Sequence, residues 1–274
     1  MHINNRKYIS VCIPTSYMSG KGVEFLKNNF EILSTQTFKD FDIIITDNSR
    51  NNDIYNLCSK YKNILDIHYT RNWIDIGMTS NINKAIKKAT GKIIKILFLD
   101  DFLYSETSLG EIKDNFDLSK DNWFITASEH TRDGLNFYWP FYPKYNHNIH
   151  LGENTISSPS VLSIKNTNPL LFDKHLTWLM DCDYYKRCYE KFGLPKVLDK
   201  INVVNRVGEH QVSNTIATKA MRGKEYRYIL KKFNEKELLK EYDTKINRVY
   251  KIKRFLRKFK TIDRLKVVYR RLFS

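Results

Sequence analysis

Apolar residues in the first hundred positions form short continuous runs that alternate with segments of helical periodicity. Short continuous runs predict buried strands, whereas apolar residues three or four positions apart predict amphipathic helices. The predicted strands are Ile9–Ile13, Asp42–Thr46, Ile64–Tyr69 and Ile96–Leu99, and the predicted helices are Val23–Leu33 and Met78–Ala89. Short apolar strands that alternate with helices predict an α/β fold with a parallel sheet covered on both faces.

The regular alternation ends after Leu109. Residues 111–170 are rich in aromatic side chains and mix loops with strands, and Gly193 and Pro195 end a later helix. The elements predicted here are the strands Trp123–Thr126 and Val161–Ile164 and a helix from about Asp181 to Phe192. No internal repeat interrupts this part of the chain.

Polar side chains follow three of the predicted strands. They are Thr15-Ser16-Tyr17, Asp47-Asn48-Ser49 and the adjacent pair Asp100-Asp101. Ligands of parallel sheets bind at the carboxyl ends of the strands, so these residues are expected to line one site. Two adjacent carboxylates repel each other and are costly to bury without a positive partner. The pair therefore predicts a Mg²⁺ or Mn²⁺ site, although Asp is also common in helix caps and turns.

The net charge of +16 is concentrated near the end of the chain. From Lys245 to Ser274, twelve Lys and Arg residues accompany a single Asp, and apolar residues recur between them at helical spacing. Residues 245–274 therefore predict a basic amphipathic helix that lies on an anionic membrane surface. The alternative is a helix that packs on the body or on a second subunit of a homo-oligomer. A nucleic-acid partner is not expected, because no nucleic-acid-binding motif accompanies the charge.

Targeting signals and cysteine spacing bear on location. The chain contains no apolar run long enough to span a bilayer, and its first ten residues lack the apolar core of a secretory signal. The four cysteines show no metal-binding spacing. These features predict a cytoplasmic protein with reduced thiols and no structural zinc, attached peripherally to the inner face of the plasma membrane if its tail binds lipid.

Four segments of this sequence together resemble the family-2 glycosyltransferases of the GT-A fold. They are ISVCIPTSY (9–17), QTFKDFDIIITDNS (36–49), NINKAIKKATGKIIKILFLDDFLY (81–104) and WLMDCDYYKRCYEKFG (178–193), in the order and spacing of that family. The resemblance implies a Rossmann-like, mostly parallel sheet flanked by helices. Residues 1–220 would form the GT-A glycosyltransferase domain, and residues 221–274 would form a basic helical extension.

The same resemblance implies an activity. The chain would be a metal-dependent, inverting glycosyltransferase that moves a sugar from a nucleotide-sugar to a hydroxyl of a glycan or lipid-linked acceptor. Bacterial surface polysaccharide synthesis, as of capsule or lipopolysaccharide, is the expected context. UDP is the first choice of nucleotide because Asp47 suits a uracil imide, and GDP and dTDP stay open.

Matching positions to the family assigns roles to individual residues. The implied nucleotide-binding residues are Thr15, Tyr17, Asp47, Asn83, Asp100 and Arg206. Asp101 and His210 would hold the metal, Trp178 would bind the acceptor, and Asp181 would be the catalytic base. Leu99 stands where the usual DxD motif has its first Asp, so the identity of the metal-binding carboxylate stays open.

Several alternatives to these roles stay open. Asp183 lies two residues beyond Asp181 and is the rival base, and Asp181 could instead cap the following helix. Arg206 and His210 could make only local contacts, and Trp178 could belong to the core. Two other functions stay open. One is a sugar-1-phosphate nucleotidyltransferase, which would need a Gly-rich loop after the first strand. The other is a noncatalytic membrane or nucleic-acid adaptor.

Overall fold

The computed structural model describes residues 6–209 and 217–247, and the strands between residues 9 and 206 form one sheet. The strands are β1 (Ile9–Thr15), β2 (Phe41–Asp47), β3 (Ile67–Arg71), β4 (Ile93–Ile96), β5 (Phe102–Leu103), β6 (Trp123–Thr131), β7 (Phe137–Phe141), β8 (Leu162–Lys165) and β9 (Lys196–Arg206). The α-helices are α1 (Gly22–Thr35), α2 (Asp53–Tyr61), α3 (Met78–Lys88), α4 (Ser108–Asn115), α5 (Met180–Phe192) and α6 (Lys219–Lys232). Residues 236–247 are also helical.

The first four strands form the parallel part of the sheet, in the order β3-β2-β1-β4. Strand β2 is buried along its whole length, which explains its continuous apolar run. Helix α1 buries Phe25, Leu26, Phe30 and Leu33, and each such side chain stabilises the fold by about 1.5–3 kcal/mol relative to exposure. The predicted alternation of strands and helices is confirmed here.

Beyond β4 the sheet is mixed rather than mostly parallel. Strand β8 is antiparallel to both β4 and β6, β5 is antiparallel to β9, and β7 is antiparallel to β6. Strand β9 lies parallel to β6. The expectation of parallel pairing therefore holds for the first half of the sheet, and antiparallel strands extend it.

Aromatic side chains pack the second half of the core. Trp123 at the start of β6 stacks on Tyr185 of α5, with ring centroids 6.4 Å apart. Phe172 stacks on Tyr184 of the same helix at 4.1 Å. These contacts fix α5 against the sheet, so its first turn has a defined position.

The chain divides into two compact units, Met1–Arg222 and Gly223–Ser274. Within the described part of the second unit, Arg227 pairs with Asp243, and the Tyr242 hydroxyl donates to the Gly223 carbonyl at 3.1 Å. Among the described residues, no helix has the length and apolar character needed to cross a membrane. Most of the predicted amphipathic tail, residues 248–274, lies outside the described residues.

Candidate active site

The carboxyl ends of β1, β2 and β4 lie at one edge of the sheet. Thr15 is the register partner of Asp47, and its hydroxyl donates to Asp47 Oδ1 at 3.2 Å. Strand β4 pairs with the other side of β1, and Asp100 and Asp101 follow it after a short turn. The fold therefore brings the polar strand ends onto a common edge.

The Asp47 carboxylate is enclosed by protein donors. Its Oδ1 also accepts from the Ser49 N–H at 2.8 Å, and its Oδ2 accepts from the Tyr69 hydroxyl at 2.8 Å. Burial and this hydrogen bond raise the pKa of Tyr69, which keeps the phenol protonated as a donor. Asp47 thus fixes the loop after β2, and its contact with a nucleobase stays a prediction.

A pocket of about 430 Å³ opens beside this edge. Its lining residues are Ser16, Tyr17, Met18, Asn48, Ser49, Arg50, Asn51 and Asp75. Tyr17 is 55% exposed, and Asn48 Nδ2 is anchored on Asp75 Oδ1 at 2.9 Å. Small-molecule sites occupy about 300–1,000 Å³, so this pocket has room for a nucleoside.

A network of side-chain amides joins the loops around the pocket. Asn72 Nδ2 donates to Asn48 Oδ1 at 2.7 Å and to Asn81 Oδ1 at 2.8 Å. Asn81 Nδ2 in turn donates to the Thr15 carbonyl at 3.1 Å. These buried amides are satisfied by one another, which holds the strand ends in fixed positions.

Asn83, the predicted nucleotide contact on α3, points elsewhere. Its Nδ2 donates to the Phe172 carbonyl and its Oδ1 accepts from the Phe172 N–H, both at 2.7 Å. The residue of α3 that contacts the strand ends is Asn81, two positions earlier. A nucleotide contact by Asn83 would require this reciprocal pair of hydrogen bonds to break.

Asp101 is buried, with 4% of its surface exposed. Its Oδ2 accepts from Ser158 Oγ at 2.8 Å and from Asn205 Nδ2 at 2.9 Å, and its Oδ1 accepts from the Arg206 N–H at 3.1 Å. Burial, followed by the negative charge of Asp100, raises the pKa of Asp101 to about 7. Three hydrogen bonds therefore hold the carboxylate in place, and added positive charge would favour its ionised form.

The Arg206 side chain lies beside the backbone of the aspartate pair. Its Nε donates to the Asp100 carbonyl at 3.2 Å, and its guanidinium carbon lies 4.8 Å from the Phe25 ring centre and 5.2 Å from that of Phe102. Only 8% of the residue is exposed. Arg206 supports the turn that carries the pair, and its contact with a diphosphate stays a prediction.

Asp181 lies in the first turn of α5 and is half-buried. Its Oδ2 accepts from Asn154 Nδ2 at 2.6 Å, and its Oδ1 accepts from the Cys182 N–H at 2.7 Å. Loss of hydration raises the pKa of Asp181, while these hydrogen bonds oppose the rise. A carboxylate with a raised pKa is a stronger base, which suits proton abstraction.

A chain of hydrogen bonds connects Asp181 with Asp101. Asn154 Nδ2 donates to the Ser157 carbonyl at 3.0 Å as well as to Asp181. Ser157 Oγ donates to Asn205 Oδ1 at 2.9 Å, and Asn205 Nδ2 donates to Asp101. The two acidic residues, 80 positions apart in the sequence, thus belong to one polar network.

Asp183, the alternative candidate for the catalytic base, is enclosed by the protein. Its side chain is fully buried, and its Oδ2 accepts from Arg187 Nε at 2.8 Å within α5. An enclosed, ion-paired carboxylate has no path to a substrate hydroxyl. The geometry therefore favours Asp181 over Asp183 as the base.

Trp178 and His210 are the two remaining residues predicted for this site. Trp178 is half-buried, with the Arg222 guanidinium 5.1 Å from its ring centre, and it lies near Gly152. Its acceptor role stays a prediction. His210 lies within residues 210–216, outside the described residues, so its metal-binding role also stays a prediction.

Sequence reasoning missed four residues of the network, namely Asn154, Ser157, Ser158 and Asn205. Ser158 precedes Pro159 and caps a short 3₁₀ turn, accepting from the Ser160 N–H, and a Ser-Pro pair is a readable signal for such a turn. Asn154 and Asn205 carry no comparable local signal. Their roles depend on contacts that only the folded chain creates.

The residues present fit a divalent cation that a substrate helps to hold. Within residues 6–209 and 217–247, no three His, Cys, Asp or Glu side chains gather around a common point. Mg²⁺-type sites nevertheless often use one or two carboxylates together with substrate phosphates and waters. Asp100 and Asp101 supply adjacent carboxylates, and the raised pKa of Asp101 marks a site that a cation would stabilise.

Comparisons with known proteins place this arrangement in a family. Residues 10–176 match the model of glycosyl transferase family 2. An uncharacterized glycosyltransferase of Methanocaldococcus jannaschii is 31% identical over 160 residues, which are 56% of this chain and 48% of that protein. The matched part is therefore about half the length of that relative.

Solved structures share the fold at low sequence identity. TarS of S. aureus, residues 1–349 in complex with UDP-GlcNAc, superposes with a TM-score of 0.64 at 19% identity, covering 81% of this chain and 65% of that one. A mannosyltransferase from Pyrobaculum calidifontis in complex with GDP-Man and Mn²⁺ gives a TM-score of 0.58 at 12% identity, covering 84% and 65%. The mixed sheet and its flanking helices thus form the GT-A fold. The chain belongs to glycosyl transferase family 2.

Proposed function

We propose that this protein transfers a sugar from a nucleotide-sugar, with UDP as the preferred nucleotide, to a hydroxyl group of a glycan or lipid-linked acceptor. The observation that carries the proposal is the polar network joining Asp101 to Asp181. With Asp101 as the donor-side carboxylate and Asp181 as the base, this network would serve both the departure of the leaving group and the attack of the acceptor, and a nucleoside-sized pocket opens at the ends of β1 and β2. The UDP-GlcNAc bound to TarS supports the choice of donor.

In the proposed complex, the nucleoside occupies the pocket lined by Tyr17 and Asn48, close to Thr15 and Asp47. Asp100 contacts the ribose, and the diphosphate lies toward Asp101, with His210 and Arg206 as further contacts. Among the predicted nucleotide contacts, Asn83 has the weakest support, because its side-chain amide is hydrogen-bonded to the Phe172 backbone.

Asp100 and Asp101 would hold Mn²⁺ or Mg²⁺, and such an ion, when bound, stabilises the negative charge that develops on a diphosphate leaving group. The Mn²⁺ in the Pyrobaculum mannosyltransferase supports this assignment. The chain contributes the fixed orientation of Asp101, through Ser158 and Asn205. Fixed donors and acceptors need no reorganisation during reaction, which lowers the barrier.

Asp181 acts as the base in this proposal. Its carboxylate takes the proton of the acceptor hydroxyl as that oxygen attacks the anomeric carbon, and the bond to the diphosphate breaks. A single displacement of this kind inverts the configuration at the anomeric carbon and needs no covalent intermediate. Asn154 orients the carboxylate by donating to Oδ2, and Trp178 offers an apolar surface to the acceptor sugar.

The proposal also concerns where the protein acts. Residues 1–220 would form the catalytic part and residues 221–274 a basic extension. The extension would attach the protein to the anionic inner face of the plasma membrane, where acceptors for surface polysaccharides are assembled, or would pack in a homo-oligomer. The concentration of Lys and Arg from residue 245 onward supports the membrane assignment.

A thermal-shift screen of UDP, GDP and dTDP, each with and without Mn²⁺, tests the proposal. We expect UDP with Mn²⁺ to raise the melting temperature more than either component alone, because both bind the folded state at one site. The exposed substitution Asp114→Asn should preserve the shift, whereas Asp101→Asn should remove its Mn²⁺-dependent part. Absence of any nucleotide-dependent shift would contradict the proposal.

A further inference from the structure

Lys95 is a fully buried lysine in the middle of β4. It has no exposed surface, and its neighbours along the strand, Ile94 and Ile96, are equally buried. Val11 of β1 and Ser163 of β8 are its register partners on either side. Lysine is almost never fully buried unless it is paired, so the ammonium group requires a partner.

The hydrogen bonds of Lys95 lead toward Asp101. Its Nζ donates to the Ser160 carbonyl. The N–H of Phe98, two residues beyond the end of β4, donates to Ser160 Oγ at 2.9 Å. Ser158, at the start of the same turn, donates to Asp101 Oδ2 at 2.8 Å. The strand thus holds the 158–160 turn in place, and the turn holds the carboxylate.

The charges of the two buried groups are complementary. Lys95 has no exposed surface and Asp101 only 4%, so both groups lie in the protein interior, and the 158–160 turn connects them. Opposite charges attract each other more strongly in a protein interior than in water. Lys95 therefore supplies a positive partner for the aspartate pair from within the chain itself.

We propose that Lys95 is a positioning residue for Asp101. Lys95 compensates the charge of the Asp101 carboxylate and holds the Ser158–Ser160 turn, which orients that carboxylate. This role exists in the unliganded chain. It differs from a merely structural role, in which Lys95 would fill the space between β1 and β8 whatever residue stands at position 101.

Lys95→Met in two backgrounds distinguishes these roles. Met has a similar length and no charge, so in the wild-type background it leaves the Asp101 carboxylate uncompensated. In the Asp101→Asn background it removes a buried charge that has lost its partner. We expect Lys95→Met to lower the melting temperature of the unliganded full chain near neutral pH in the first background and to raise it in the second.

Ile94→Met is the matched control, because this residue is equally buried on the same strand and is uncharged. Its effect should be the same in both backgrounds. An equal effect of Lys95→Met in both backgrounds would overturn the proposal. If Lys95→Met alone does not fold, recovery of folding in the Lys95→Met/Asp101→Asn chain supports the proposal, and failure of both chains contradicts it. No donor or metal is needed, so the result is separate from any test of sugar transfer.

Discussion

Asp101 gives the site a characteristic pH dependence. Its raised pKa of about 7 means that the carboxylate binds a proton below neutral pH and is ionised above it. A cation competes with that proton, so binding of Mn²⁺ with UDP should strengthen as pH rises through 7. We expect the thermal shift produced by Mn²⁺ and UDP together to be larger at about pH 8 than at about pH 6.

Asp101→Asn is the control for this pH dependence. Asn does not ionise, so the residual shift that UDP produces in this variant should change much less between the two pH values. Equal shifts in the wild-type chain at both values would show that Asp101 does not titrate at the binding site.

Asn154 should matter for turnover rather than for donor binding. Its amide donates to Asp181 Oδ2 at 2.6 Å, and its removal lets the carboxylate rotate away from the acceptor. A small misplacement of a reacting group can cost about 10²-fold in rate. We expect Asn154→Ala to lower kcat by about 10²-fold with little change in KM for the donor found in the nucleotide screen.

Asn148→Ala controls for the loss of an amide side chain in the same region, because Asn148 is exposed and its side chain does not cap the short helix that follows it. It should leave both kinetic constants unchanged. Wild-type turnover by Asn154→Ala would contradict the orienting role.

At the scale of secondary-structure elements, an ion pair within α5 gives Asp183 a different role from that of Asp181. Asp183 is fully buried and accepts from Arg187, whose side chain is 20% exposed. Removing one partner of a buried pair leaves an uncompensated charge and costs about 3–5 kcal/mol. We therefore expect Asp183→Ala to lower the free energy of unfolding by about 3 kcal/mol, measured by urea denaturation.

Asp181→Asn is the contrasting variant, because Asn keeps the shape of a half-buried side chain. It should change the unfolding free energy by less than about 1 kcal/mol, as is usual for substitutions outside core and ion-pair positions. A larger loss of stability in Asp181→Asn than in Asp183→Ala would reverse the assignment of the two residues.

The elements that the sequence predicts well are those whose burial follows one simple pattern along the whole element. Strand β2 is buried throughout, and α1 has one apolar face, so both appear as simple patterns. Strand β9 begins with exposed or half-exposed residues and is buried only over its last five. Strand β7 is mostly exposed and contains Pro140, which is typical of an edge strand. Neither strand shows a clear period of two, and neither was predicted.

The candidate site was predictable in part for a similar reason. Asp101 and Asp181 stand beside recognisable elements, a strand end and a helix start. Asn81, Asn154 and Asn205 act through hydrogen bonds to residues distant in the sequence, which no local pattern encodes. The predicted strand Ile96–Leu99 shares only Ile96 with β4, and the role of Lys95 as a partner of Asp101 is visible only in the fold, where the 158–160 turn lies beside it.

At the scale of the whole molecule, the basic extension predicts attachment to lipid. The twelve Lys and Arg residues from Lys245 to Ser274 would be attracted to anionic headgroups, and apolar residues between them would insert. We expect the full chain to sediment with vesicles that contain phosphatidylserine and not with neutral phosphatidylcholine vesicles. Binding should weaken as salt is raised, because screening reduces the attraction.

A chain ending at residue 247 is the matched comparison, since it keeps the described residues and lacks most of the basic segment. It should lose vesicle binding and keep the UDP-dependent thermal shift. Equal sedimentation of both chains would place the lipid contact elsewhere, and a dimer lost on truncation would favour the homo-oligomer alternative.

The central claim is that Asp101 and Asp181 lie on two sides of one donor site. A crystal structure of the full chain with UDP and Mn²⁺, with the ion located by its anomalous signal, tests it most directly. We predict that the ion is coordinated by the Asp100–Asp101 pair and the diphosphate, with uracil in the pocket beside Tyr17 and Asp181 facing the space beyond the terminal phosphate. Nucleotide bound away from this pocket, or an ion that contacts neither aspartate, would contradict the account.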